Sequence, residues 1–166
     1  MNKFRYAAVA LPVIAFVFAA NPVRAADLTG KMAPFAYLLG APWNCTTSIP
    51  AMGGQPARTD KGTATFEVAP ANVVHNRVQT AMYSGDSYLG FSDQAGSYWQ
   101  TSANNIGGYG FLSSSDGSTY AGTSSMGPLS MQDTVTYAKV SPNKVTVHEV
   151  LSGGPMAGTF DSVCTR

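Results

Sequence analysis

The stretch Met131-Gln132-Asp133-Thr134-Val135-Thr136-Tyr137-Ala138-Lys139-Val140-Ser141-Pro142-Asn143-Lys144-Val145-Thr146-Val147-His148-Glu149-Val150-Leu151 decides the fold. Two runs rich in Thr and Val flank Ser141-Pro142-Asn143, a turn in which proline already holds a suitable φ. Branched and aromatic residues of this kind suit a pleated, half-buried strand, so the segment reads as a hairpin. If Ser141 and Lys144 pair directly, His148 lies opposite Tyr137, while Glu149 shares a face with Val145 and Val147. A bulge at the turn shifts that register by one residue and exchanges the two faces. Either His148 or Glu149 therefore points inward, and the residues alone leave open which.

Outward from this hairpin the same grammar recurs. Helical signals are confined to Ala33–Leu39, with Pro34 at the start and Gly40 as the stop. Strands are expected at Trp43–Ile49, Arg58–Val68, Val73–Tyr83, Tyr88–Ser92, Tyr98–Ala103, Gly108–Ser113, Thr119–Ser125, Met131–Val140, Lys144–Leu151 and Ala157–Cys164. Turns at Ser84-Gly85-Asp86, Asp93-Gln94-Ala95-Gly96, Asn104-Asn105 and Ser115-Asp116-Gly117 separate the middle ones. In the second strand Gly62, Ala64, Phe66 and Val68 share one face and Thr63, Thr65 and Glu67 the other. In the third, Val74, Val78 and Met82 oppose His75, Arg77 and Gln79, which places His75 on an outer, solvated face. No connection has room for a crossover helix, so neighbours pair as antiparallel hairpins.

The two ends of this meander carry the only cysteines, Cys45 and Cys164. The chain opens with Met1-Asn2-Lys3-Phe4-Arg5, then an apolar run of 14 residues, Ala7–Ala20, then Asn21-Pro22-Val23-Arg24-Ala25. The run falls short of the about 20 residues that span a bilayer and has the flanks of a secretory signal cut after Ala25. Residues 1–25 are thus expected to be a signal peptide and 26–166 one exported domain, periplasmic or secreted. In such a compartment an even pair of cysteines reads as a disulfide. Bridging first strand to last argues for closure into a single all-β, antiparallel barrel of about ten strands, with a two-sheet sandwich as the competing architecture.

Loss of Lys3, Arg5 and Arg24 lowers the basic count from 10 to 7 against 9 acidic residues. So few and scattered charges make no phosphate-binding face, and nucleic acid is not an expected partner. Insertion in a membrane is not expected either, since the chain ends in Cys-Thr-Arg and not in the aromatic residue that outer-membrane barrels carry. Catalysis finds no motif: Gly122-Thr123-Ser124-Ser125-Met126 misses the nucleophile elbow at its last position. Ser141-Pro142-Asn143-Lys144 reads as a turn, and Glu67 alternates onto the polar face. Two cysteines and two distant histidines lack metal-ligand spacing.

Leu38-Leu39-Gly40 leading through Ala41-Pro42 to Trp43 and Cys45 resembles the opening of calycin-type barrels, the lipocalins, fatty-acid-binding proteins and nitrobindins. The strand Asp133–Tyr137 and the terminal Cys164-Thr165-Arg166 resemble a secreted, calycin-like bacterial family. That resemblance implies a ten-strand barrel with a small apolar cavity and no established activity. The nitrobindin likeness implies haem on a histidine just before the last strand, where this chain has Ser152-Gly153-Gly154-Pro155-Met156; His148 lies earlier and is the remaining candidate. The expected function is a non-enzymatic binding protein. A small apolar or amphipathic ligand would contact Trp43, Phe66, Trp99, Tyr137 and His148 or Glu149, with Phe111 also inside. A haem-binding barrel and a packed barrel with a structural or protein-interaction role are the alternatives.

Overall fold

The computed structural model describes residues 27–154 and 156–166, so the expected signal peptide lies outside it. Ten strands follow one another: β1 (Trp43–Ile49), β2 (Arg58–Ala69), β3 (Val73–Thr80), β4 (Ser84–Ser92), β5 (Ser97–Asn104), β6 (Gly108–Ser114), β7 (Thr119–Met126), β8 (Leu129–Ser141), β9 (Lys144–Ser152) and β10 (Gly158–Thr165). Each pairs antiparallel with the next, and β1 pairs with β10, so the sheet closes on itself. Closure leaves no free strand edge. Cys45 and Cys164 stand opposite each other across the β1–β10 seam with Cα atoms 4.0 Å apart and are joined as a disulfide.

A 3-10 helix, Gly30–Leu38, plugs one end. In a 3-10 helix side chains three apart eclipse one another, and Met32, Phe35 and Leu38 have that spacing. All three are buried, and they pack on the inward residues Trp43, Ala64, Val74, Leu89, Leu112, Tyr120, Val135 and Val145. The Trp43 Nε1–H donates to Leu38 O at 2.9 Å. The Arg166 guanidinium lies 4.3 Å from the Trp43 ring centroid, and its two terminal nitrogens donate to Leu39 O at 2.7 Å and Tyr37 O at 3.0 Å. The last residue of the chain thus clamps the helix that plugs the barrel.

The helix begins at Gly30, three residues before the expected Ala33, and two turns sit elsewhere than expected. The turn expected at Ser84-Gly85-Asp86 sits at Ala81-Met82-Tyr83, because Thr80 Oγ1 accepts from the Met82 and Tyr83 amides and Thr80 N–H donates to Tyr83 O. Asp86 is therefore a strand residue, paired with Arg77. β8 starts at Leu129 and not Met131, because Gly127 at φ 56° allows a two-residue turn between Met126 and Leu129. In the deciding hairpin Ser141 does pair with Lys144, but Lys139 pairs with Val145, and Val140 is left over as a bulge. That extra residue sets Glu149 opposite Val135 and turns it inward, and sets His148 opposite Thr136 and turns it out.

Candidate functional site

The barrel interior has two halves of different chemistry. Beside the helix it is apolar and tightly filled: Trp43 is 1% exposed and Tyr120, Val74 and Leu89 no more. Toward the other mouth the inward positions become Asn76 on β3, Ser87 on β4, Gln100 and Ser102 on β5, Gly110 on β6, Ser124 on β7 and Asp133 on β8, with Glu149 on β9. Asn76, Ser87, Ser102, Gly110 and Ser124 are consecutive cross-strand partners, which makes a continuous polar belt. Asn76 Nδ2 donates to Ser87 Oγ at 3.2 Å, and Ser124 Oγ donates to Asp133 Oδ2. A Cβ on Gly110 would fall 2.6 Å from Ser124 Oγ and 3.0 Å from Ser102 Oγ, so the two hydroxyls close over that glycine.

The Tyr137 hydroxyl reaches from β8 to β5 and donates to Gln100 Oε1 at 3.2 Å. This bond crosses the lumen. Tyr137 stands edge-on to Tyr120, 5.9 Å between centroids, which ties the bridge to the apolar half. Glu149 and Tyr137 point inward yet keep some accessible surface, so solvent reaches the space they face. Around the mouth Ile49, Met126, Leu151 and Phe160 alternate onto the inner face, and Met131 is buried below them.

The electrostatics of this half are those of carboxyls without counterions. Burial raises the Glu149 carboxyl from its usual 4.5 to about 7, with a further upward push from Asp133. Burial raises Asp133 as well, against the lowering effect of its Ser124 hydrogen bond. Tyr83, whose hydroxyl lies over Gly85, is raised by burial and then by the Glu149 charge. Neither Glu149 nor Asp133 has an ion-pair partner among the described residues.

Of the residues expected around a ligand, Phe66, Tyr137 and Glu149 face inward; the rest require correction. Trp43 is inside but sealed beneath the helix and Arg166. Trp99 is on the outer wall, where its indole covers Gly90: a Cβ there would run into the ring. Phe111 is also outside and 59% exposed, next to Tyr109 and Tyr88 on the same wall. His148 is outside, with Nδ1 2.6 Å from Asp161 Oδ1. His75 is on the outer face as expected but is not solvated. It stacks on Tyr88 at 4.6 Å and lies between Glu67 Oε1 (2.9 Å) and Asp86 Oδ1 (2.7 Å). Hydrogen bonds from His75 and then Arg77 hold Asp86 below the usual carboxylate range.

Asn76, Gln100, Ser124 and Asp133 were not among the residues expected at the site. Asp133 was findable, since it lies two residues before Val135 and four before Tyr137 on one strand face. Two hollows of about 470 Å³ and about 260 Å³ lie apart from this half, one at the β10–β1–β2 seam and one between the helix and the Asp116–Ser118 turn. Among the described residues no group of three or more His, Cys, Asp or Glu has the arrangement of a metal site.

No protein-family model matches the chain, and no curated protein does. Among solved structures, a redesigned β-barrel is similar over 79% of this chain and 92% of its own, at 16% identity and a TM-score of 0.37. Nothing about ligand or activity follows from that likeness.

Proposed function

We propose that this is an exported, non-enzymatic, calycin-like binding protein that holds a small amphipathic ligand in the open half of its barrel. One observation carries the reading: hydrogen-bonding groups without partners lie buried under an apolar rim. Leaving such a group unsatisfied costs about 1–3 kcal/mol, so each calls for a partner from outside the chain, a water or a ligand. The filled apolar half has no room for a purely apolar ligand that would need Trp43, so the ligand's polar end belongs at the belt and its apolar end among Ile49, Met126, Leu151 and Phe160.

The Cys45–Cys164 bridge is compatible with an oxidising compartment, which supports the periplasmic or secreted location. The haem alternative depended on His148, which faces away from the lumen, and is not retained. The test is native mass spectrometry of the protein purified from its own host, together with displacement of a fluorescent amphiphile. A small bound mass or displaceable probe is expected. An empty barrel that takes up no amphiphile contradicts the reading and leaves a barrel with a structural or protein-interaction role.

A further inference from the structure

The inward wall of the open half presents an imbalance of hydrogen-bonding character. Asp133 is 5% exposed and its Oδ1 has no partner; Asn76 is 8% exposed and its Oδ1 has none either. Glu149 forms no hydrogen bond or ion pair among the described residues. On this polar wall the groups left wanting are acceptors, and those of Asp133 and Glu149 are carboxyl oxygens; the other buried group without a partner, the Tyr120 hydroxyl, lies in the apolar half. The residues that face Glu149 are Val135, Asp133 and Tyr137 from β8, Phe160 from β10 and Tyr83 from the β3–β4 turn, none of which is cationic. Arg58 lies at the β2 end of the rim, but it is exposed and pairs with neither carboxyl. Lys139 is at the helix end, its Nζ over the Tyr37 ring at 4.9 Å.

A fatty acid brings a further anion to this wall and an alcohol brings a single donor. A protonated amine brings a positive charge and up to about three donors. From the geometry we infer that the open half of the barrel selects an organic ammonium head group, held by Glu149 and Asp133 with Asn76 Oδ1 across the belt. This deepens the amphipathic-ligand reading and rests on it. The Ser124 hydroxyl positions Asp133 by occupying Oδ2, which leaves Oδ1 for the ligand. The apolar rim then selects amines with a hydrocarbon tail over bare polyamines.

Calorimetric titration of the full processed protein with octylamine, octanol, octanoate and putrescine tests this. Hydrogen bonds to charged groups are worth about 1.5–3 kcal/mol, roughly a 10- to 100-fold change in affinity. At pH 8 octylamine is expected to bind at least about 10-fold more tightly than octanol or octanoate, and putrescine more weakly than octylamine. As the pH falls to about 5, Glu149 takes up a proton and the advantage of octylamine over octanol shrinks. Glu149→Gln and Asp133→Asn each reduce octylamine affinity about 10-fold or more and change octanol affinity by less.

Octanol or octanoate binding as tightly as octylamine at pH 8 overturns the ammonium inference and leaves the amphipathic reading standing. An octylamine affinity indifferent to both substitutions overturns it too. Putrescine matching octylamine supports the head-group assignment and overturns the amphipathic reading. If none of the four binds, both fall. Glu149→Gln removes a buried charge without changing the side chain's shape, so its folding is not in question; the pH profile of the unaltered protein gives an independent readout.

Discussion

Replacing Glu149 with Gln is expected to make the protein more stable at alkaline pH, an unusual result for a substitution inside a barrel. The Glu149 carboxyl titrates at about 7 in the fold against a usual 4.5. For an acid whose folded value is raised, both states are protonated at low pH and the group costs nothing there. As pH rises through 4.5 the unfolded chain releases its proton first, and stability falls by about 1.36 kcal/mol per unit until the folded value is passed. Across an interval of about 2.5 units that amounts to roughly 3 kcal/mol, an upper figure because solvent reaches part of the side chain. Asp133 is raised also and adds loss in the same direction. The amide of the Glu149→Gln variant keeps the shape and carries no charge at any pH. For a domain of this size each kcal/mol moves Tm by roughly 3 °C, so the variant should melt up to about 10 °C above the parent at about pH 8.5. The two should melt together near pH 4. Circular-dichroism melts at half-unit steps between those limits are the assay. Parallel curves, with a constant gap or none, would refute the claim that Glu149 is buried without a counterion.

The remaining predictions concern the frame around that chamber. Breaking the Cys45–Cys164 bridge, which closes a sequence separation of 119 residues, should cost roughly 4–5 kcal/mol on the chain-entropy picture; urea unfolding with and without reductant measures it, and a midpoint unmoved by reduction contradicts it. Arg166→Ala removes the contact on Trp43 and two hydrogen bonds to helix-end carbonyls, and should cost about 1–3 kcal/mol with increased quenching of Trp43 fluorescence by iodide. Unchanged quenching would show that the plug does not need the clamp. Ala71, at φ 62° in the β2–β3 turn, should gain up to about 1 kcal/mol on replacement by Gly, which adopts that conformation without a Cβ penalty; chemical denaturation reads this, and a lower midpoint counts against strain at Ala71.

Much of the barrel was legible because its signals are local or terminal. The Thr- and Val-rich alternation in β2 and β8 marks strands without reference to the rest of the chain, and two cysteines at opposite ends of a meander mark its closure. Inner and outer faces were harder. In β6 the sequence Gly108-Tyr109-Gly110-Phe111 reads naturally as aromatics inside, yet the glycines are inside. The wall is so tightly curled there that a Cβ on Gly110 would collide with Ser124 Oγ, which leaves Tyr109 and Phe111 facing solvent. Trp99 follows a related logic: it occupies the outer space left by Gly90 on the neighbouring strand. Local alternation cannot see that vacancy, because the pairing partner lies across a turn on another strand.

Glu149 and His148 were distinguished by one bulged residue. A register shift depends on how the whole hairpin packs, and Val140 gives no sign in sequence of being skipped. The polar belt was missed for a different reason. Asn76, Ser87, Ser102, Ser124 and Asp133 come from five strands and become neighbours only through the pairing register of those strands. Singly, each looks like an ordinary solvated residue.

The central claim is that the open half of the barrel, not the aromatic outer wall, receives an amphipathic amine. Its most direct measurement is chemical-shift mapping by NMR on labelled protein titrated with octylamine at pH 8. Shifts should concentrate on the Asn76 side-chain amide, Ser102, Ser124, Asp133 and Glu149, and on the rim methyls of Ile49 and Leu151. Shifts confined to Tyr88, Trp99, Tyr109 and Phe111, or none at all, would contradict it.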